Sequence, residues 1–443
     1  MATADKARYY LERYVPELQE YQRKAIFSRD EITAITKKRS DFEHILNARG
    51  SKPGDYARYA TYEMILDALR KKRCKRLGVK STVFSGQRTV FFILDRATKK
   101  FPGDMGLWMQ LVHYCQKEKA NKKLAKAFTA VLRLKPREWG LWVLAAKHYA
   151  EAQGDMSTAR SYLQRGLRFC RDDRRLYLEY AKLEMGYLAK LAARRKILGL
   201  DEEETENTAS DAMDDDNTIT LPAITAADIN PEASKGVEEM DANAMKRLDS
   251  APAFTGDIVI AIFDAAMTQF ANDSDVAESF FDLVASFDHV PATRRILQHI
   301  LTHIQSAAPE SPEAIICEVR LQLFSIDALS AEFPAALGSS LAAVKRGINR
   351  LSETQQVILA EKTVIVLLPL LKQRHEMDQG VRKVLEASVK RYLALEKSKR
   401  PAKISKKSAD RVESLRHKLK DEGRLTELEI LDELTDAVDL ELG

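Results

Sequence analysis

Apolar positions recur through the middle of the chain in short runs at helical spacing, and the runs themselves recur. "VFFILDRATKKF", "LAKAFTAVLRL" and "ARSYLQRGLRF" contain Leu94, Phe128 and Leu163. Eight residues after each stands Pro102, Pro136 or Arg171, and six further on stands Trp108, Trp142 or Tyr177. Each of these aromatics follows a leucine (Leu107, Leu141, Leu176), and they lie 34 and 35 residues apart. Each opens a second run that continues at +3 and +6, through Leu111 and Tyr114, Ala145 and His148, Tyr180 and Leu183. Such positions share one face of a helix. The spacing predicts a unit of helix, short turn and helix, repeated about every 34 residues. One such pair has nothing to cover its apolar face, whereas stacked pairs cover one another.

An upstream copy is visible in "DYARYATYEMILDAL", where Tyr56, Tyr59 and Tyr62 take the same three-residue steps. Glu63 holds the +7 place that Glu184 holds downstream. Tyr56 precedes Trp108 by 52 residues, one repeat plus a surplus of 18, which we place in the basic stretch around "RKKRCKRLGVKSTVFSG". From Asp201 to Ser234 the chain has no Lys or Arg and few large apolar residues, so residues 201–255 read as an acidic, disordered insertion. Helical spacing resumes at Asp257 and runs through "VAESFFDLVASF", "TRRILQHILTHIQ", "PEAIICEVRLQLF" and "TQQVILAEKTVIVLLPLLKQ", with Asn272, Asp273, Ser274 and Pro312 as caps or first-turn residues. The reading is all-α: an α-solenoid of helical hairpins in five segments. These are a helical cap at 1–50, repeats at 51–200, the insertion at 201–255, degenerate repeats at 256–396, and at 397–443 a basic linker, a helix over about 409–422 and an acidic-apolar tail suited to a partner.

Composition agrees. Of 443 residues 45% are hydrophobic and 30% charged, with only 18 Gly and 13 Pro, which disfavours a turn-rich β protein. The net charge of +5 hides segregation. Basic runs stand at 37–39, 70–76, 193–198 and 397–407. Lys37, Lys38, Arg39, Arg70, Lys71, Lys72, Arg73, Lys75 and Arg76 are the candidates for contact with RNA phosphates or a partner. Tyr56, Tyr59, Tyr62, Trp108, Trp142, Tyr177 and Tyr180 are read as packing residues of the repeats. The four cysteines (Cys74, Cys115, Cys170, Cys317) are too scattered for a disulfide framework or zinc site and suit a reducing compartment. The N-terminus lacks the apolar core of a signal peptide, and "TVIVLLPLL" at 363–371 is too short to span a bilayer, so an intracellular, soluble protein away from membranes is expected. No phosphate-binding glycine loop or nucleophile elbow is present. His299 and His303 sit one turn apart but lack the Glu of a metalloprotease helix. No catalytic, cofactor or metal residue is assigned.

The aromatics at 0, +3 and +6 with an acid at +7 resemble the half-a-tetratricopeptide (HAT) repeat of RNA-processing proteins. The opening "YYLERYVPELQEYQRKAIFSRDEITAITKKRSDFEHIL", followed by "DYARYATYEMILDALRKKRCKRLG", resembles the U3 small nucleolar RNA-associated protein 6 family over roughly residues 5–200. That resemblance implies a nucleolar, non-enzymatic scaffold subunit of the UTP-B complex in the small-subunit processome, acting on the precursor of the small ribosomal subunit RNA. Its partners would be WD-repeat propeller subunits, with U3 small nucleolar RNA and pre-rRNA met directly or through the particle. The alternative is a HAT adaptor of splicing or 3′-end formation. Residues 1–50 form the expected docking end, with Ser28 and Glu31 as a capping box that starts a preformed helix.

Overall fold

A computed structural model describes residues 3–79, 86–197, 255–373, 376–398, 416, 417, 419, 420 and 424–442. The described residues are helical, with no strand among them. The chain divides into two units, Met1–Cys170 and Arg171–Gly443.

The first unit opens with α1 (Thr3–Glu12), α2 (Val15–Arg23) and α3 (Arg29–Asn47). Three hairpins follow: α4 (Pro53–Leu77) with α5 (Gly86–Lys100), α6 (Met105–Lys117) with α7 (Asn121–Leu134), and α8 (Trp139–Lys147) with α9 (Met156–Phe169). The repeated Pro and Trp have a shared purpose. Trp108 Nε1 donates to the Pro102 carbonyl at 2.9 Å, and Trp142 Nε1 donates to the Pro136 carbonyl at 2.8 Å. Each indole is buried and ties the start of its helix to the turn before it. Gly166 lies so near the Trp142 ring that a methyl group there would stand 2.9 Å from Cγ. Asp104 and Asp155 cap α6 and α9 by accepting from the Leu107 and Thr158 amides. The surplus in the first repeat is mostly helix, since α4 has 25 residues where α6 has 13. The basic stretch therefore extends α4, and Gly78 in the left-handed region (φ 63°) ends it.

The second unit pairs α10 (Arg174–Ile197) with α11 (Asp257–Gln269), α12 (Ser274–Ala285) with α13 (Thr293–Ala307), α14 (Pro312–Leu323) with α15 (Phe333–Arg350), and α16 (Glu353–Leu367) with α17 (Gln379–Ser398). The first members α10, α12, α14 and α16 contact one another in sequence and form one layer. Tyr177 and Tyr180 are buried in α10, and Leu183 is half-buried. The expected boundary at 200 falls between the two helices of one hairpin. Helix α10 packs on α11 across the acidic stretch, so the insertion interrupts a hairpin and the units part at Cys170. Residues 201–254 lie outside the described residues, as does most of the helix expected over 409–422. Asp273 caps α12, accepting from the Asp275 amide, and Ser311 caps α14 ahead of Pro312.

The acidic-apolar ending forms α18 (Leu425–Leu442), which packs on α17 and on the 3₁₀ turn Leu368–Gln373 through Ile430, Leu431 and Leu434. That part of the tail is core to its own unit rather than free for a partner. The apolar stretch at 363–371 is also corrected. With its 3₁₀ extension the helix Glu353–Lys372 is 20 residues long and, by length and composition, apolar enough to cross a membrane. Leu359, Val364, Leu367 and Leu371 are spent instead on the core of the second unit.

Candidate partner interface on the N-terminal helices

Local capping and buried ions fix α3 and α4 side by side. The Ser28 Oγ accepts from the Glu31 amide at 3.2 Å, and Glu31 accepts from the Ser28 amide at 2.9 Å. Glu31 also takes both Arg73 nitrogens at 2.7 Å. Arg73, together with the Ser28 amide, holds the Glu31 carboxyl down at about 2. The same guanidinium lies 4.7 Å from the Phe27 ring centre and donates to the Ile26 carbonyl. Farther along, Arg39 Nε and Nη2 donate to the two oxygens of Glu63, each at 2.8 Å, while Nη1 stands 3.6 Å from Glu17. Arg39 is 1% exposed and Glu63 2%. Burial works against the Arg39 charge, but Glu63 and Glu17 keep the guanidinium firmly protonated. The guanidinium also lies 4.4 Å from the Tyr14 ring centre, and burial pushes the Tyr14 hydroxyl up to about 12. Arg96 of α5 grips Glu43 of α3 through two bonds of 2.9 and 3.0 Å and covers Tyr10 of α1.

These contacts sort the nine basic candidates. Arg39 and Arg70 are corrected: both are buried and bound to carboxylates, Arg39 to Glu63 and Arg70 to Asp67 at 2.7 Å, so neither is presented to a phosphate or a partner. Arg73 is half-buried in its clamp on Glu31. Lys71 is exposed but shared between Asp67 and Glu118. Lys37, Lys38, Lys72, Lys75 and Arg76 are exposed and make no ion pair among the described residues. Beside them on α3 and α4 stand Ile45 at 47% exposure, Ile65 at 64%, Leu69 at 39% and Leu77 at 51%. Ile65, Leu69, Lys72 and Arg76 follow steps of four, three and four, hence one outward stripe of α4. Composition could not separate Arg39 and Arg70 from their neighbours. The signal available was periodicity, since Arg39 falls on the same face as Ile35, Glu43 and Leu46, all buried.

Among the described residues outside these helices, little reactive chemistry is offered. All four cysteines are buried free thiols, and burial pushes Cys115 up to about 11 and Cys317 higher still, which keeps both protonated. Asp275, Glu278 and Glu313 converge closely enough to hold a cation. The Lys362 ammonium already fills that role, 2.8 Å from Glu313 and bonded to Glu278. His299 Nε2 is 2.8 Å from Asp264, and both His299 and His303 set their rings edge-on to Phe263.

Known proteins resemble the chain. The sequence model of the family described as U3 small nucleolar RNA-associated protein 6 matches residues 11–91. The chain is 37% identical over 251 residues to U3 small nucleolar RNA-associated protein 6 of Schizosaccharomyces pombe, covering 54% of this chain and 51% of that protein. It is 32% identical over 193 residues to the human homologue, 42% of this chain and 32% of that one. It is 25% identical over 296 residues to the Dictyostelium discoideum homologue, 64% of this chain and 46% of that one. The chain thus spans about half or less of the length of these curated relatives. By the family model and by these curated proteins alike, the chain is similar to the U3 small nucleolar RNA-associated protein 6 family.

Proposed function

We propose that this protein is a non-enzymatic scaffold subunit of a nucleolar pre-ribosomal particle. The particle is UTP-B within the U3-guided small-subunit processome, acting in small-subunit pre-rRNA processing and 40S assembly. One coincidence carries the reading. The segment that matches the family, residues 11–91, contains all five uncompensated exposed cations of the candidate surface and its exposed Ile45, Ile65, Leu69 and Leu77. An apolar patch among lysines and arginines suits a protein partner at its centre and RNA phosphate at its edge. The work of such a subunit is positional: rigid hairpins hold a surface in place, and binding energy does the rest.

The test uses tagged full-length protein carrying Lys37→Glu, Lys38→Glu and Lys72→Glu together. Circular dichroism and the melting temperature should match the parent. Co-purification of WD-repeat propeller subunits and U3 RNA should fall at least tenfold at moderate salt. Full recovery of both by the triple variant defeats the assignment of the surface. Recovery of splicing or 3′-end factors by the parent protein, in place of propellers, defeats the particle.

A further inference from the structure

The second helices of the three hairpins in the first unit, α5, α7 and α9, carry charge of nearly one sign. Together they hold eleven Lys or Arg and one carboxylate, Asp95, which Lys123 bonds at 3.0 Å. Arg96 is spent on Glu43, and Lys100 on the Leu46 carbonyl. The other cations follow the repeat. Steps of 0, +4, +7 and +11 mark one face of a helix, and on α7 they give Lys122, Lys126, Thr129 and Arg133, all exposed. The last place recurs 34 residues earlier as Lys99 and 35 later as Arg168, and the first recurs as Arg88 on α5. Arg165 stands one turn before Arg168, and the other matching places on α9 are Ser157, Ser161 and Gln164, so no acid enters there. Arg88, Lys99, Arg165 and Arg168 are exposed too, and none of these seven cations makes an ion pair among the described residues. The helices lie side by side. Lys123 of α7 also stands 4.3 Å from the Phe91 ring centre on α5, and Cys170 Sγ, just after α9, donates to the Pro136 carbonyl, just after α7, at 3.4 Å.

Folding does not account for these charges. A cation in the first turn of a helix opposes the helix dipole, yet Lys122 and Lys123 occupy the first turn of α7 and Arg88 that of α5, with no acid in either turn. Like charges spread over neighbouring helices repel one another, and of the carboxylates on these helices Asp95 alone relieves them. Glu138 and Asp155 stand beyond the helix ends, Asp155 as the cap of α9. A bound polyanion removes that repulsion. A protein partner wants apolar contact at the centre of its interface, whereas the α7 stripe offers amine, hydroxyl and guanidinium groups, the groups that contact phosphate oxygens. Bases find no platform there either. Phe92, the aromatic among the matching places, lies against Arg13 and Arg96. The exposed Leu134 and Phe169 are turned about 100° round their helices from the stripe, and Phe169 stacks on Trp142. We infer that the exposed face of α5, α7 and α9 binds the phosphodiester backbone of RNA without regard to sequence. That the polymer is RNA rests on the particle proposed above, and the phosphate chemistry rests on this face alone. The face is separate from Lys37, Lys38 and Lys72, and apart from Arg88 its seven cations lie outside the matched segment 11–91.

Fluorescence anisotropy of the full-length protein with short labelled RNA hairpins of unrelated sequence tests this. The hairpins should bind with affinities within about threefold of one another. Lys126→Glu, Arg133→Glu and Arg168→Glu together should weaken binding at least tenfold at about 0.1 M salt and flatten the slope of log affinity against log salt by about 2–3. Circular dichroism and the melting temperature should match the parent. The neutral set Lys126→Gln, Arg133→Gln and Arg168→Gln, gentler on the fold, should flatten the slope by the same amount with a smaller loss of affinity. Lys37→Glu with Lys38→Glu should cost less than about threefold, which separates this face from the N-terminal surface. The assay needs no particle. RNA binding of this kind by a protein that recovers splicing factors strikes the particle and leaves the face standing, and recovery of propellers without such binding does the reverse. No binding by the parent, equal binding by the parent and both triple variants, a strong preference for one hairpin sequence, or tighter binding of an acidic peptide of equal charge overturns the inference.

Discussion

Helices α4 and α16 hold equivalent places as first members of hairpins. Their inner faces differ. That of α4 buries Glu63, Asp67 and Arg70 among tyrosines, and its packing on α3 runs through Arg39. That of α16 buries Leu359, Ala360, Thr363, Val364 and Leu367, with no charge among them. Hydrocarbon packing tolerates small shifts in register. A bidentate guanidinium–carboxylate bond sealed from water does not, because a displaced partner leaves a bare charge behind. The N-terminal end is thus held in one arrangement by ions, and the C-terminal hairpins by volume.

Removing one ion is the hardest blow to that contrast. Arg39→Ala strands Glu63 and Glu17 in the interior and should cost roughly 3–5 kcal/mol, read by chemical denaturation. A loss under 1 kcal/mol would show that water or a neighbour replaces the guanidinium and that α4 is not ion-held. Leu367→Ala, its counterpart in α16, should cost about 2–5 kcal/mol through transfer and cavity terms, and the loss should appear in hydrogen exchange of α16 and α17 while α3 and α4 stay protected. The repeats between are a control held by one indole each. Trp142→Ala should cost roughly 3–5 kcal/mol. Trp142→Phe keeps most of the packing, loses the bond to the Pro136 carbonyl, and should cost about 1 kcal/mol.

A weaker effect follows from Glu31. Its folded value near 2 lies below the ordinary value of about 4.3. A depressed carboxylate contributes stability that is complete above the unfolded value and fades as pH falls from about 4.3 towards 2. Hydrogen exchange at the start of α3 should rise in that window and not between pH 5 and 8, and Glu31→Gln should abolish the trend. The smallest effect on stability is expected from reversing Lys37, Lys38 or Lys72 singly, within about 0.5 kcal/mol. A larger change would mean that these side chains hold the fold together instead of facing a partner.

Periodicity made the repeats legible. The Trp–Pro register located the turns of α5–α6 and α7–α8 to within a few residues, and the Ser28–Glu31 pair located the start of α3. The basic face was only partly legible, because a run such as 70–76 circles the helix nearly twice. Arg70 and Cys74 turn inward while Lys72 and Arg76 turn out. The hairpin partner of α10 was hidden for a different reason, since nothing local signals that a helix pairs across a long acidic stretch.

That interrupted hairpin sets a schedule for synthesis. Helix α10 ends at Ile197 and its partner α11 starts at Asp257, so residues 198–256, 59 positions, must be made in between. At translation rates of about 5–20 residues per second, α10 waits about 3–12 s for its cover. The residues of the first unit are complete by Cys170, before that wait begins. Over those seconds Leu176, Tyr177, Tyr180, Met185 and Leu188 of α10 have no α11 to bury them, although all end near 0–5% exposed. The nascent chain at that length, a finished first unit followed by one bare amphipathic helix, is the species that chaperones would meet. Shortening the insertion would shorten that encounter.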